Sequence, residues 1–332
     1  MRYKTHIFKT SLILFFIGLL MEACTPIIPL HQQQVFLRGL QYSYNIEAVA
    51  FSPDGKTALY GSLDKTFKLL EVDSGRLIRT FQGHSDFIRS VAFSPDGKTA
   101  LSGSYDKMLK LWAVDSGRLI RTFQGHVLSV KAVAFSPNGK TALSGSSDKT
   151  LKLWEVGSGR LIQTFQGHGG HVNAVAFSPD GKTALSGSSD KTLKLWDVDS
   201  GRLIRIFKGH SSYVETVAFS PNGKTVLSGS IDTLKLWAID SERLILGVKG
   251  HANIVTAVAF SPDGKTALSG SFDHTIKLWT VKKLRLIRTF QGSSDIVTAV
   301  AFSPDGKTAL SGSWGDSLKL WAVDSGRLIK SF

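Results

Sequence analysis

Residues 168–210 read HGGHVNAVAFSPDGKTALSGSSDKTLKLWDVDSGRLIRIFKGH. Four short apolar runs stand out: VNAVAF, TALSGS, TLKLWDV and RLIRIF, each bounded by Gly, Pro, Asp, Asn or Ser. Runs of this length, with turn residues between them, indicate antiparallel strands rather than helices. Asp180-Gly181 separates the first run from the second, and Asn222-Gly223 takes that place in the next copy. Both dipeptides supply the positive φ that a tight hairpin needs. Ser200-Gly201 turns the third run into the fourth. The segment predicts a four-stranded meander. Small residues occupy the two strands nearest an axis, Leu and Trp the third, and Arg (Arg121, Arg205) the outer edge, where charge discourages strand addition.

The phrase recurs. The prolines of its SPDGK/SPNGK segment are Pro53, Pro95, Pro137, Pro179, Pro221, Pro262 and Pro304, at intervals of 42, 42, 42, 42, 41 and 42 residues. A fixed period of about 40–45 residues marks a stacked or radial repeat architecture. One meander cannot bury both of its faces, but seven arranged radially can, each sheet packing on the next. The expected fold class is all-β: a seven-bladed β-propeller of four-stranded antiparallel blades, over residues 35–332.

Over roughly residues 40–332 the chain resembles the WD40-repeat β-propeller family. In that family a buried network joins the His of a Gly-His pair, a Ser of the second strand, an Asp before the third strand and the Trp of the third strand. The resemblance places it in repeat two at His84, Ser102, Asp106 and Trp112, and in repeat three at His126, Ser144, Asp148 and Trp154. Repeat four has His168, Ser186, Asp190 and Trp196; repeat five His210, Ser228, Asp232 and Trp237; repeat six His251, Ser269, Asp273 and Trp279. The literal Trp-Asp pair occurs at Trp196-Asp197. The resemblance implies that His bridges Asp and Ser while the indole N–H donates to that Ser.

Two repeats depart from the pattern. Repeat seven has Ser293 at the His position and Gly315 at the Asp position, with Asp316 one place late. Repeat one has Tyr42, Tyr60 and Leu70 for His, Ser and Trp, and keeps Asp64. These would be neighbours where the ring closes, so the seam is expected to be its least stable part. Either Val35–Leu37 or Arg327–Phe332 could supply the outer strand of blade seven; the latter matches the other copies and is preferred.

The 332 residues carry a formal charge of +14. Lys and Arg recur at fixed places (Lys182, Lys191, Lys194, Arg202 and Arg205 in repeat four), which spreads charge around a rim rather than into a groove-fitting patch. A dedicated nucleic-acid binder is therefore disfavoured, and a monomer is expected. The first residues differ in kind: Arg2, Lys4 and Lys9 precede the apolar run Ser11–Met21 and the sole cysteine, Cys24. This is signal-peptide anatomy, too short for a comfortable membrane span. Cys24 resembles the lipidated residue of a bacterial lipoprotein, which implies a signal peptide at 1–23, a tether at 24–34 and a membrane anchor through Cys24, with Thr25 favouring the outer membrane. The alternative is a periplasmic or secreted protein. A lone cysteine excludes internal disulfides.

Chemistry is scarce. The recurring Gly55-Lys56-Thr57 lacks the earlier Gly of a phosphate-binding loop and closes a hairpin. The VDSG turns lack the alternating oxygen ligands of a calcium loop. His168 and His171 do not make a metal site when His168 belongs to the buried network. A Ser, His and Asp set repeated in five blades is structural, since catalytic groups are usually singular. No cofactor, metal or catalytic residue is expected.

Three columns vary freely between copies: Asn45, Phe87, Ser129, His171, Tyr213, Ile254 and Ile296; Glu47, Arg89, Lys131, Asn173, Glu215, Thr256 and Thr298; and Leu63, Tyr105, Ser147, Ser189, Ile231, Phe272 and Trp314. By resemblance all three ring one mouth of the central channel. Leu63, Phe87, Tyr105, Phe272 and Trp314 would form an apolar arc over blades six, seven, one and two. Large apolar residues are what an interface uses. The expectation is a non-enzymatic scaffold, exported to a bacterial envelope, that binds a partner protein or peptide through Leu63, Phe87, Arg89, Tyr105, Lys131, Tyr213, Ile231, Phe272 and Trp314. The alternative is a small-ligand or enzymatic site in the channel built on Glu47, Glu215, Arg89 or His171.

Overall fold

The computed structural model describes residues 45–291, 295–315 and 318–332, apart from the Asp232 side chain. Cys24, the preceding apolar run, Val35–Leu37, Tyr42, Ser293 and Asp316 lie outside the described residues. The described chain forms 27 strands and no helix. Blade one is the meander Ile46–Phe51, Thr57–Ser62, Phe67–Glu71 and Leu77–Phe81, hydrogen-bonded in that order. The later blades repeat it in the same antiparallel order.

The turn between the first two strands differs in detail from the expected hairpin. Gly55 adopts φ 72°, but Asp54 is not left-handed. Its carboxylate instead accepts from the Ser52 hydroxyl at 2.6 Å and the Lys56 N–H at 3.0 Å, while the Thr57 N–H donates to Ser52 Oγ at 3.0 Å. A side-chain hydrogen-bonded turn thus does part of what backbone geometry was expected to do.

Seven blades of four strands would give 28 strands; one is missing because Leu244–Phe260 runs unbroken from the outer edge of blade five to the inner edge of blade six. The two blades therefore share one seven-stranded sheet. The cause is legible locally. Repeat five reads SIDTLKLW where repeat four reads SSDKTLKLW. The missing lysine is the residue that turns the chain with positive φ in other blades, as Lys149 does at 70° and Lys191 at 70°. Without that turn the third strand lengthens to Ile231–Ala238, and Ile231 pairs with Ile254.

The core lies between blades. Trp154 of blade three packs edge-on against Phe123 of blade two, with ring centroids 5.7 Å apart, and Leu101, Leu109, Val130 and Val133 fill the same space. Phe165 with Trp196 and Phe207 with Trp237 repeat the arrangement. Blade seven is completed by its own C-terminal strand, Leu328–Ser331, as the sequence led us to expect. The ring then closes through Leu310, Leu318 and Leu320 against Ile46, Ala58, Leu70 and Val72. The Thr298 hydroxyl donates across this seam to the Ile46 carbonyl at 2.6 Å. Unlike the other clusters, this one has no buried aromatic ring, because Leu70 replaces Trp.

Candidate functional site at the channel mouth

Six of the seven inner strands begin with an irregularity, and in blade five the inner strand pairs in unbroken register from Thr216. Ile88 pairs with Ser104 and Ser90 with Gly103, which leaves Arg89 unmatched. The same shift leaves Glu47, Lys131, Asn173, Thr256 and Thr298 unmatched. These are β-bulges, which bend a strand and re-aim the extra side chain. Six of the seven residues in one variable column are therefore bulged, and the seventh, Glu215, lies just before its strand with its N–H on the Gly229 carbonyl at 3.0 Å. The other two columns are tied to each other by backbone bonds: Tyr105 N–H to Phe87 C=O at 3.0 Å, Ser147 to Ser129 at 2.9 Å, Ser189 to His171 at 2.8 Å, Phe272 to Ile254 at 2.9 Å and Trp314 to Ile296 at 3.0 Å. The structure thus brings the three columns together at the end of the channel where the inner strands start.

The residues of this column fall into two groups. Asn173, Thr256 and Thr298 stitch neighbouring blades: Asn173 Nδ2 donates to the Val214 carbonyl at 3.1 Å, and the Thr256 hydroxyl to the Val297 carbonyl at 2.6 Å. Glu47, Arg89, Lys131 and Glu215 carry charge. Buried Glu47 is held on both oxygens, by the Arg89 guanidinium at Oε2 and by the Trp314 indole N–H at Oε1, 2.9 Å away. Burial and the neighbouring Arg89 push the Lys131 ammonium down to about 8, and Glu215 acts in the opposite sense. A residue of blade three that senses blades two and five places these groups around the axis. His171 Nδ1 lies 2.7 Å from the Ser147 carbonyl and donates to it.

The apolar positions separate by exposure. Tyr213 and Ile231 are 39% and 45% exposed. Phe87 and Tyr105 are half-buried against each other, edge-on at 6.1 Å. Leu63 and Trp314, expected on the open arc, are buried at 6% and 5%. That corrects the arc over blades six, seven, one and two: Glu47 anchors the indole from below and half-buried Phe272 packs on it at 5.8 Å. Sequence reasoning missed Val127 and Leu128, which are 70% and 45% exposed in the loop entering blade three. The signal was present, since they replace the Ser85-Asp86 pair of repeat two.

The His networks are buried supports below this face. In blade three, His126 Nδ1 meets Asp148 at 2.7 Å, Nε2 meets Ser144 Oγ at 2.8 Å, and Trp154 Nε1 donates to that hydroxyl at 2.8 Å. Blades two, four and six repeat it with His84, His168 and His251. Burial would raise the Asp148 carboxyl, but hydrogen bonds from His126 and Thr150 outweigh it and hold the group well below the usual carboxylate range. Blade five corrects the expectation of a fifth complete set. His210 Nε2 keeps Ser228 at 2.7 Å and Trp237 keeps its bond at 2.9 Å, but His210 Nδ1 is buried with no partner among the described residues. The shortened turn displaces the strand that should supply one, and the Asp232 side chain lies outside the described residues. Burial, with Lys235 nearby, lowers His210 to about 3. In blade one Lys68 replaces the missing imidazole as the partner of Asp64. Blade seven retains Trp321 Nε1 on Ser311 Oγ at 2.8 Å.

The opposite end of the channel holds a cavity of about 690 Å³ lined by equivalent residues of every blade, such as Phe93, Ser94 and Pro95 of blade two. Its repetition offers no distinctive set of polar groups. Among the described residues, no cluster of three His, Cys, Asp or Glu side chains could hold a metal.

A family model described as WD domain, G-beta repeat matches residues 35–70, 75–113, 117–155, 159–197, 201–237, 242–280 and 284–322. No curated protein matches the chain.

Proposed function

Since this chain belongs to the WD40 family, whose repeats generally mediate protein–protein scaffolding, we propose that it is a non-enzymatic scaffold exported to a bacterial envelope, and that it holds a partner protein or peptide on the channel-mouth face. One observation carries this reading. Six of seven near-identical blades display a variable residue through one repeated backbone device, and at that face Val127, Leu128, Tyr213 and Ile231 are left exposed among charged residues of the same column. Exposed apolar side chains among polar groups are the ingredients of a binding surface. The catalytic alternative is weakened because Glu47 and Arg89 satisfy each other and His171 is held by a backbone carbonyl.

Export and lipidation rest on the sequence pattern of Arg2, Lys4 and Lys9, the run Ser11–Met21 and Cys24. Mass spectrometry of the mature N-terminus tests this: an acylated Cys24 supports the anchor, and an intact Met1 sinks export. For the binding face, a photo-crosslinking residue is placed at Leu128 and, as control, at Ile329 on the outer strand of blade seven. Adducts to a discrete partner from position 128 but not 329 support the reading; the reverse pattern rejects it.

A further inference from the structure

We infer that the channel mouth contains an acid-accepting subsite, in which Arg89 and Lys131 receive an Asp or Glu carboxylate of the bound partner. This rests on the reading of the mouth as a partner-binding face and specifies the chemistry of the anchor.

Four observations converge. Arg89 and Lys131 are the bulged residues of adjacent blades, so two cations are aimed side by side into the channel mouth. The acid paired with Arg89 is already engaged on both oxygens, since Glu47 Oε2 is taken by Arg89 and Oε1 by Trp314. The half-buried Lys131 has neither an ion pair nor a hydrogen bond at its ammonium among the described residues. Its charge is disfavoured by that burial and by Arg89, so an arriving anion restores what the fold withholds. The guanidinium also keeps N–H groups beyond the one given to Glu47, and its planar fork suits a carboxylate.

The surrounding charge narrows the ligand. Glu47 and Glu215 balance Arg89 and Lys131, so the four groups sum to zero. A dianion such as a phosphate group would meet both acids, whereas a single carboxylate adds one negative charge between the two cations. The charged groups that act on Lys131 from other blades are Arg89 and Glu215. Glu215 opposes the ligand, which gives the inference a second handle.

The test uses the full chain and a fluorescein-labelled hexaglutamate peptide, with hexalysine and hexaserine as controls, in anisotropy titrations. Lys131→Gln should weaken hexaglutamate binding about tenfold, the size of one well-placed charge pair. Lys182→Gln, which removes an exposed lysine from a hairpin turn, should change it less than about twofold. Glu215→Gln should tighten binding. Equal losses from Lys131→Gln and Lys182→Gln would reduce the effect to the net charge of the protein and overturn the subsite. Weakening by Glu215→Gln would overturn it in favour of a basic or zwitterionic anchor. If hexaglutamate binding ignores Lys131 while crosslinks at Leu128 persist, the acid subsite fails and the binding face stands. Loss of both removes the face itself. Near-UV circular dichroism confirms that each variant is folded, and the Lys131 ε-ammonium pKa, read by NMR, should rise when the peptide binds.

Discussion

Trp314 and Glu47 stand 267 positions apart in the chain, yet the indole N–H of one donates to the carboxylate of the other at 2.9 Å. Glu47 opens blade one and Trp314 belongs to blade seven, so the bond crosses the seam where the aromatic packing of other junctions is absent. Trp314→Phe keeps the ring and removes the donor. It should cost about 1–3 kcal/mol, as a buried carboxylate loses one of two partners. Urea unfolding measures this, and a double-mutant cycle with Glu47→Gln should show that the two losses are not additive.

Ser144 accepts from Trp154 and contacts His126, so Ser144→Ala strands two buried groups at once. The expected cost is roughly 2–4 kcal/mol. Near-UV circular dichroism should also report a changed Trp154 environment.

Repeat five makes a pH prediction. His210 titrates near 3 when folded and near 6.5 when unfolded. Between those values the unfolded chain binds the extra proton, so stability is full above about 6.5 and falls as the solution is acidified. Inserting a lysine between Asp232 and Thr233 restores the 42-residue period. It should return the partner to His210 and move the acid-unfolding midpoint to lower pH. The complete blades lose stability in a lower window, below the ordinary Asp value of 3.8, as groups such as Asp148 become protonated.

Lys131 has the opposite alkaline signature. Its folded value of about 8 lies below the ordinary 10.5, so the charged ammonium weakens the fold at neutral pH and that penalty disappears as pH rises from 8 to 10.5. Lys131→Met should stabilise the protein at pH 7 by roughly 1–3 kcal/mol, a figure discounted for partial exposure. The gain should vanish near pH 11.

Gly103 sits where the next blade presses in. A Cβ there would lie 2.8 Å from Val130 Cγ1 and 2.8 Å from Val133 Cγ1. Gly103→Ala should destabilise by about 1–3 kcal/mol through overpacking. Gly157→Ala, with nothing within 4 Å of the new methyl, should stay within about 0.5 kcal/mol.

The repeat period and its turn residues were enough to read the blades, the pairing order and the closing strand Leu328–Ser331, because a 42-residue copy admits one meander and seven copies hide its faces. The networks followed from residue type wherever spacing was intact, as at His126 and His251. Spacing was also where the reading failed. One deleted lysine looked harmless in a list of His, Ser, Asp and Trp, yet it removed a turn, fused two blades and orphaned His210. Exposure was less legible still. Trp314 and Leu63 look like interface residues by type, but whether an indole faces water depends on a carboxylate 267 positions away. The bulges that aim Arg89 and Lys131 leave no mark on composition, since any residue can occupy them.

Blade seven is finished by its own last strand, so among the described residues no segment of blade one crosses over to complete it. Lys330 reaching the Asp73 carbonyl, Thr298 reaching Ile46 and the Trp314–Glu47 bond are side-chain stitches between sheets already whole. The cut in this circle is thus a matter of bookkeeping along the gene rather than of architecture. Joining Phe332 to Asn45 and opening the loop at Val127 instead would leave the same seven blades, with a different one counted first.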